Sequence, residues 1–349
     1  MIKKILMILG FGIIGLIILI LLISAIAGGI SLDADSEAFS LIESKTAFQP
    51  GKNSVSFKSY GDTIAADLYI PPDYKAGNTY PAVIVNPPAT GVKEQTAGIY
   101  AEKMSKKGYI AMAIDPRGFG ESSGIKGLLN PYRIQDDIHN SISFLENLSA
   151  VNKDAIFNIG LCAGSGYAAY NFRNDNRITA IGIVSPYLTG SEEQGNIVRK
   201  FILTTISNLM KAKYVLTGRD TTAPLVPTTE SEAQNARPIL QGMMTYYLPG
   251  KPGDVPTWSN NLSYMSLSPV IQFNIFDHTD DFNNKPIVMA YGSEAVSKQG
   301  AQRFYNAVNG KKEKIMLKGA DHFDMYYKSE YVKPVADKFD EFFRKYMVK

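Results

Sequence analysis

Cys162 is the only cysteine of the 349-residue chain, and it stands in the run Gly160-Leu161-Cys162-Ala163-Gly164. A short apolar stretch, Ala155 to Leu161, precedes it, and a small-residue stretch follows. This predicts a buried strand, a sharp turn and a helix, the G-x-Nu-x-G arrangement of a nucleophile elbow with cysteine as nucleophile. At such a turn the nucleophile takes a strained backbone conformation, so the residues two places away must be small. The first N–H groups of the next helix then point at the sulfur, where they favour a thiolate and can hold an oxyanion. The expectation is a thiol pKa below the ordinary value of about 8.5. Ser165 is the rival nucleophile, but its frame would be Ala163 and Tyr167, and a tyrosine crowds the turn. The plain alternative is a buried, inert cysteine at a glycine-rich strand end.

The other residues able to do chemistry are few. A single cysteine excludes an intrachain disulfide framework and a cysteine-based zinc site. Of the three histidines, His139 falls in a predicted helix and reads as a solvated or partly packed residue. His278 stands beside Asp277, Asp280 and Asp281, which reads as a solvated acidic loop rather than a metal site. His322 lies in Gly319-Ala320-Asp321-His322, just past a predicted strand, and Glu294 lies just past the strand before it. No metal and no organic cofactor is called for. A net charge of +3 is too small to suggest nucleic acid as a partner.

These residues need a frame, and the chain supplies one. Val55 and Phe57, then Ile64, Ala66, Leu68 and Ile70, alternate with polar or smaller residues around Tyr60-Gly61-Asp62, which predicts a β-hairpin. Apolar runs at 82–85, 109–114, 155–161, 178–184, 286–292 and 314–317 predict strands. Helical patterns at 94–107, 134–145, 302–308 and toward the carboxyl end separate most of them. Strands apolar throughout, alternating with amphipathic helices, make a mostly parallel sheet covered on both faces, an α/β fold. Residues 187–284 break the rhythm. A helix is predicted over about 192–212, followed by loops carrying Met243, Met244, Tyr246, Tyr247, Trp258, Tyr264 and Met265. That insertion reads as a lid, with Met243, Tyr247 and Trp258 as candidate substrate contacts.

At the amino end, Lys3-Lys4 precede an uncharged, mostly aliphatic run from Ile5 to Ile30. Residues 1–30 therefore read as a transmembrane anchor with the rest of the chain outside the cytoplasm. The alternative is a cleaved signal ending near Ala25-Ile26-Ala27 and a secreted product. Residues 31–50 read as a linker, and 51–349 as the catalytic domain.

From about residue 52 onward the chain resembles an α/β-hydrolase, and within that superfamily the dienelactone-hydrolase-like branch that uses Cys-acid-His. The resemblance rests on Val92-Lys93-Glu94-Gln95, on Asp115-x-Arg117-Gly118-x-Gly120-x-Ser122, on the cysteine elbow, and on Gly319-Ala320-x-His322-x-Asp324-x-Tyr326. The order Cys162, Glu294, His322 is that of the superfamily, whose sites sit at the carboxyl edge of the sheet. The resemblance implies Cys162 as nucleophile, His322 as general base and acid, and Glu294 as the acid orienting His322. It implies an oxyanion hole from the Ala163 N–H and from Ala89 or Thr90, because Pro87 and Pro88 have no N–H to offer. Two departures are that Pro87-Pro88 stands where many relatives carry His-Pro, and that a glutamate stands where many carry aspartate. The expected activity is cleavage of an ester, thioester or lactone in a small-molecule acyl substrate, or acyl transfer from the same site. A catalytically silent surface scaffold is the alternative.

Overall fold

The computed structural model describes residues 2–33, 36–42, 48–188 and 195–347. The chain runs through α1 (Ile2–Gly29), β1 (Phe39–Leu41), β2 (Gly51–Ser59), β3 (Asp62–Ile70), β4 (Tyr80–Asn86), α2 (Gly98–Ser105), β5 (Ile110–Ile114), α3 (Pro131–Glu146), β6 (Val151–Leu161), α4 (Gly164–Asn174) and β7 (Ile178–Val184). A long excursion follows, with α5 (Ile197–Thr217), β8 (Thr222–Ala223), α6 (Glu230–Gln234), α7 (Pro238–Tyr247), β9 (Leu262–Ser263) and α8 (Leu267–Gln272). The chain then resumes with β10 (Ile287–Gly292), α9 (Lys298–Ala307), β11 (Lys312–Leu317), α10 (Asp324–Tyr327) and α11 (Ser329–Arg344).

Nine strands form one sheet in the order β1-β2-β3-β5-β4-β6-β7-β10-β11. The first three strands and the β3–β5 junction are antiparallel, and every pairing beyond β5 is parallel. The residues explain why. Strand β5 is buried at every position, and so is most of β4, β6, β7 and β10, so both faces need cover. One face is closed by Ile134, Ile138 and Ile142 of α3 with Phe172 of α4 and Phe304 of α9. The other is closed by Tyr100 and Met104 of α2 with Val335, Phe339 and Phe343 of α11. Apolar positions spaced three and four apart along α3 and α11 put each set on one side of its helix. Gly182 in β7 is needed for that contact, since a Cβ there would lie 2.3 Å from the Phe339 ring.

Two sequence-based boundaries are corrected. The helix expected over about 192–212 runs from Ile197 to Thr217, because the Asn196 side chain caps its start and Gly218, at φ 67°, ends it; residues 189–194 lie outside the described residues. The stretch expected as a linker over 31–50 is partly structural, although 34–35 and 43–47 lie outside the described residues. Strand β1 extends the sheet edge against β2. Asp33 is held by Arg117 at 3.0 Å and by Arg133 at 2.6 Å.

Candidate active site

The elbow forms where β6 passes into α4. Cys162 sits at φ 55°, in the left-handed region that side chains disfavour. Its backbone is locked from both sides: its N–H donates to Val184 O at 3.0 Å, and its carbonyl accepts from Ser165 N–H and Tyr187 N–H. The flanking glycines have a steric cause. A Cβ at Gly160 would lie 2.3 Å from Gly164 O, and one at Gly164 would lie 2.4 Å from Pro87 O. The loop after β4 therefore presses directly against the start of α4. That loop turns at Pro88 to Gly91, closed by Gly91 N–H on Pro88 O at 2.8 Å, with Ala89 and Thr90 at the corner. Ala163 and Ala89 both line the cavity above Cys162. Thr90 is buried and does not line it. Ser165, the rival nucleophile, is fully buried and donates its hydroxyl to Gly160 O at 2.9 Å, so it serves the turn.

His322 is wholly buried. It faces two hydroxyls: Ser297 Oγ lies 2.8 Å from Nδ1, and Tyr326 Oη lies 3.1 Å from Nε2. The Tyr326 hydroxyl and the Ala163 N–H also lie near enough to the Cys162 sulfur to favour its charged form. Tyr326 thus joins thiol and imidazole.

Glu294 is not brought to His322. It is exposed, its N–H donates to Ala320 O, and its carboxylate accepts from the Ser293 hydroxyl. The short loop after β10 carries the Glu294 side chain out to solvent and tucks Ser297, three residues on, beneath the imidazole ring. Sequence reasoning missed Ser297, since nothing in Ala295-Val296-Ser297 sets it apart.

Burial governs the charges. It pushes the Cys162 thiol up to about 11, against the pull of Tyr326 and Ala163, and pushes His322 down to about 3. The expected thiolate is therefore corrected to a neutral thiol facing a neutral imidazole. The reason is that the ring has no carboxylate on Nδ1 to stabilise an imidazolium.

The cavity holds about 270 Å³ and is lined mainly by apolar side chains, with Cys162 and Tyr326 in its wall. Residues of the excursion cover the elbow: Met243 and Tyr247 line the cavity and pack in one cluster with Cys162 and Phe323. Tyr247 is 1 % exposed, and its hydroxyl has no hydrogen-bond partner among the described residues. Trp258 does not line the cavity; it stacks on Tyr247 at 4.9 Å between ring centroids and supports it from behind. Two arginines, Arg199 and Arg237, are the charged residues of the lining, and both are exposed.

The Asp115 to Gly124 loop is scaffolding. Asp115 accepts from the N–H groups of Lys93 and Glu121, and the Lys93 ammonium bonds Asp115, Glu94 and Glu121. These three carboxylates are the one group among the described residues spaced to hold a metal, and a lysine already sits among them. His139 pairs with Asp175 at 2.9 Å, and His278 sits edge-on to Tyr170.

Comparison with known proteins agrees with this architecture. A family model described as serine aminopeptidase, S33 matches residues 94–248. The Escherichia coli protein YcjY is 31% identical over 304 residues, covering 83% of this chain and 98% of its own. The crystal structure of the Pseudomonas aeruginosa protein PA2218 superposes with a TM-score of 0.76 at 23% identity, over 89% of this chain and all of that one. The acyltransferase drtE of Aspergillus calidoustus is 23% identical over 284 residues, 78% of this chain and 90% of its own.

Proposed function

We propose that this chain, which belongs to the α/β-hydrolase superfamily, breaks an ester, thioester or lactone by way of an S-acyl intermediate on Cys162. The observation that carries the reading is the strained Cys162 at the floor of an apolar cavity, joined through Tyr326 to a buried neutral histidine. The branch of the superfamily that uses a cysteine nucleophile fits these residues, with one exchange: Ser297, rather than Glu294, orients the ring.

In the first step the Cys162 proton passes by way of the Tyr326 hydroxyl to His322 Nε2, and the sulfur attacks the carbonyl carbon. The carbonyl electron pair moves to oxygen, where the Ala163 N–H and a corner amide at Ala89 or Thr90 stabilise it. Collapse breaks the bond to the leaving group, which takes the proton from His322. An acceptor then attacks the thioester, His322 takes the acceptor's proton, and the sulfur leaves and regains it. With water the outcome is hydrolysis. With an alcohol or amine it is acyl transfer, a second reading favoured by the likeness to drtE and by the small polar share of the cavity wall.

A series of p-nitrophenyl esters of rising acyl length tests this. The expected result is a nitrophenolate burst and a protein mass raised by one acyl group, reversed by hydroxylamine and lost in Cys162→Ala. Turnover that survives Cys162→Ala would overturn the mechanism. No turnover and no acyl adduct with any ester would favour the silent scaffold.

A further inference from the structure

Helix α5 is 21 residues long, and its two sides face different surroundings. Its inner side rests on the body, where Ser207 is buried and donates its hydroxyl to Met265 O at 2.8 Å. Its outer side leaves Val198, Phe201, Ile202 and Leu216 bare, at 59, 56, 50 and 83 % exposure. Positions 198, 202, 209 and 216 follow one another at spacings of four and seven, so they share one stripe. An apolar stripe of this kind on a soluble surface marks an interaction site. The helix contains Arg199, Lys200, Lys211 and Lys213 and no acidic residue.

What covers the stripe is indicated by α1. From Phe11 to Gly29 that helix is apolar enough to cross a membrane. Its described side chains stand largely free from Phe11 until Ser24, Ala27 and Gly28 meet α5. There Asn208 Nδ2 donates to Ser24 Oγ at 3.4 Å, and Lys211 Nζ donates to Gly28 O at 3.4 Å. Gly28 allows the approach, since a Cβ would lie 3.0 Å from the Asn208 amide. The carboxyl end of a spanning segment lies at the membrane boundary, so the helix docked on it lies there too. A basic helix with one bare apolar side is also what an anionic bilayer surface binds. On its way past the body, α5 contributes Arg199 and Leu203 to the cavity lining.

We propose that α5 lies in the bilayer interface, its Val198–Phe201–Ile202–Leu216 stripe among the acyl chains, and that the cavity takes its acyl substrate directly from the lipid phase. The contact surface is inferred from α1 and α5 alone; the substrate class rests on the reading of Cys162 given above.

Two readouts on the full-length protein in phosphatidylcholine–phosphatidylglycerol vesicles separate the parts. In a Cys162→Ala background, nitroxide labels on Phe201→Cys, Ile202→Cys and Leu216→Cys should collide with lipid-dissolved oxygen and be shielded from an aqueous nickel chelate. A label on Lys251→Cys should show the reverse. Labels on α5 open to the chelate overturn the proposal, and so do labels hidden from both reagents, which would place a second copy of the chain on the stripe. With Cys162 restored, Phe201→Asp combined with Ile202→Asp should slow cleavage of a long-chain ester carried in the vesicles at least tenfold. Cleavage of a short water-soluble ester should hold. Equal rates on both esters in wild type and variant overturn membrane entry. Deep labels with no cleavage by wild type would leave the membrane contact standing and overturn the substrate assignment.

Discussion

A hydroxyl on Nδ1 orients an imidazole without charging it. Ser297 holds the ring of His322 in place, but offers no negative charge to hold an imidazolium. Ser297→Ala should therefore lower kcat on the order of tenfold to a hundredfold with little change in KM. Glu294→Gln should stay within about twofold of wild type, because among the described residues the Glu294 carboxylate bonds only its neighbour Ser293. Steady-state kinetics on one ester compares them. The charge states make a second prediction. Alkylation follows the thiolate fraction, so the iodoacetamide rate at Cys162 should climb through pH 8 and 9 toward about 11. A plateau near pH 7 would signal an ion pair instead.

His322 itself links the site to stability. Its folded pKa of about 3 lies below the ordinary 6.5, so the unfolded chain binds the extra proton in that window. The stabilisation is complete above pH 6.5 and drains away as pH falls toward 3, at no more than about 1.4 kcal/mol per pH unit. Between pH 6.5 and 5, urea unfolding should show the wild type losing up to about 2 kcal/mol more than His322→Gln.

At the scale of elements, the elbow and the loop after β4 are one unit. Gly164 lets Pro87 O approach the first turn of α4, which aligns the Ala163 and Ala89 corners across the cavity. Gly164→Ala would place a methyl 2.4 Å from a backbone oxygen that cannot swing aside. The expected outcome is a fall in stability of about 1–3 kcal/mol and a larger loss of kcat than of substrate affinity, read by thermal unfolding and kinetics. Much of this unit was legible in advance, because the spacing of Gly160 and Gly164 about Cys162 has a local steric cause. The parallel strands were legible for the same kind of reason, since each carries its burial in its own apolar run. Ser297 was not, because it meets His322 across 25 residues of chain through a loop without a signature. Strand β1 was hidden too, because Phe39-Ser40-Leu41 is a three-residue strand set in a polar stretch, too short for any alternation to show. Trp258 read as a substrate contact because its size is visible in sequence, whereas its position behind Tyr247 is not.

Across the whole molecule, one ion network joins the segment after α1 to the body. Asp33 bonds Arg117 and Arg133, while the buried Arg117 side chain pairs with Asp137 at 2.7 Å. Arg117→Met would leave the wholly buried Asp137 without its cation, at a cost of about 3–5 kcal/mol. Asp33→Asn touches only the outer, half-exposed arm and should cost less than about 1 kcal/mol. Thermal unfolding of both variants ranks them; the reverse order would mean that the outer arm carries the network.

The raised thiol of Cys162 also has a meaning for survival. Peroxide oxidises thiolates and scarcely touches thiols, and the first product, a sulfenic acid, opens the way to irreversible damage. Cys162 is 7 % exposed and burial pushes its thiol up to about 11, so the resting sulfur offers oxidants little to attack. With no second cysteine in the chain, it cannot be lost to an internal disulfide either. On the proposed mechanism, the burial that slows the resting sulfur is thus also its protection: the group is kept in reserve for its substrate.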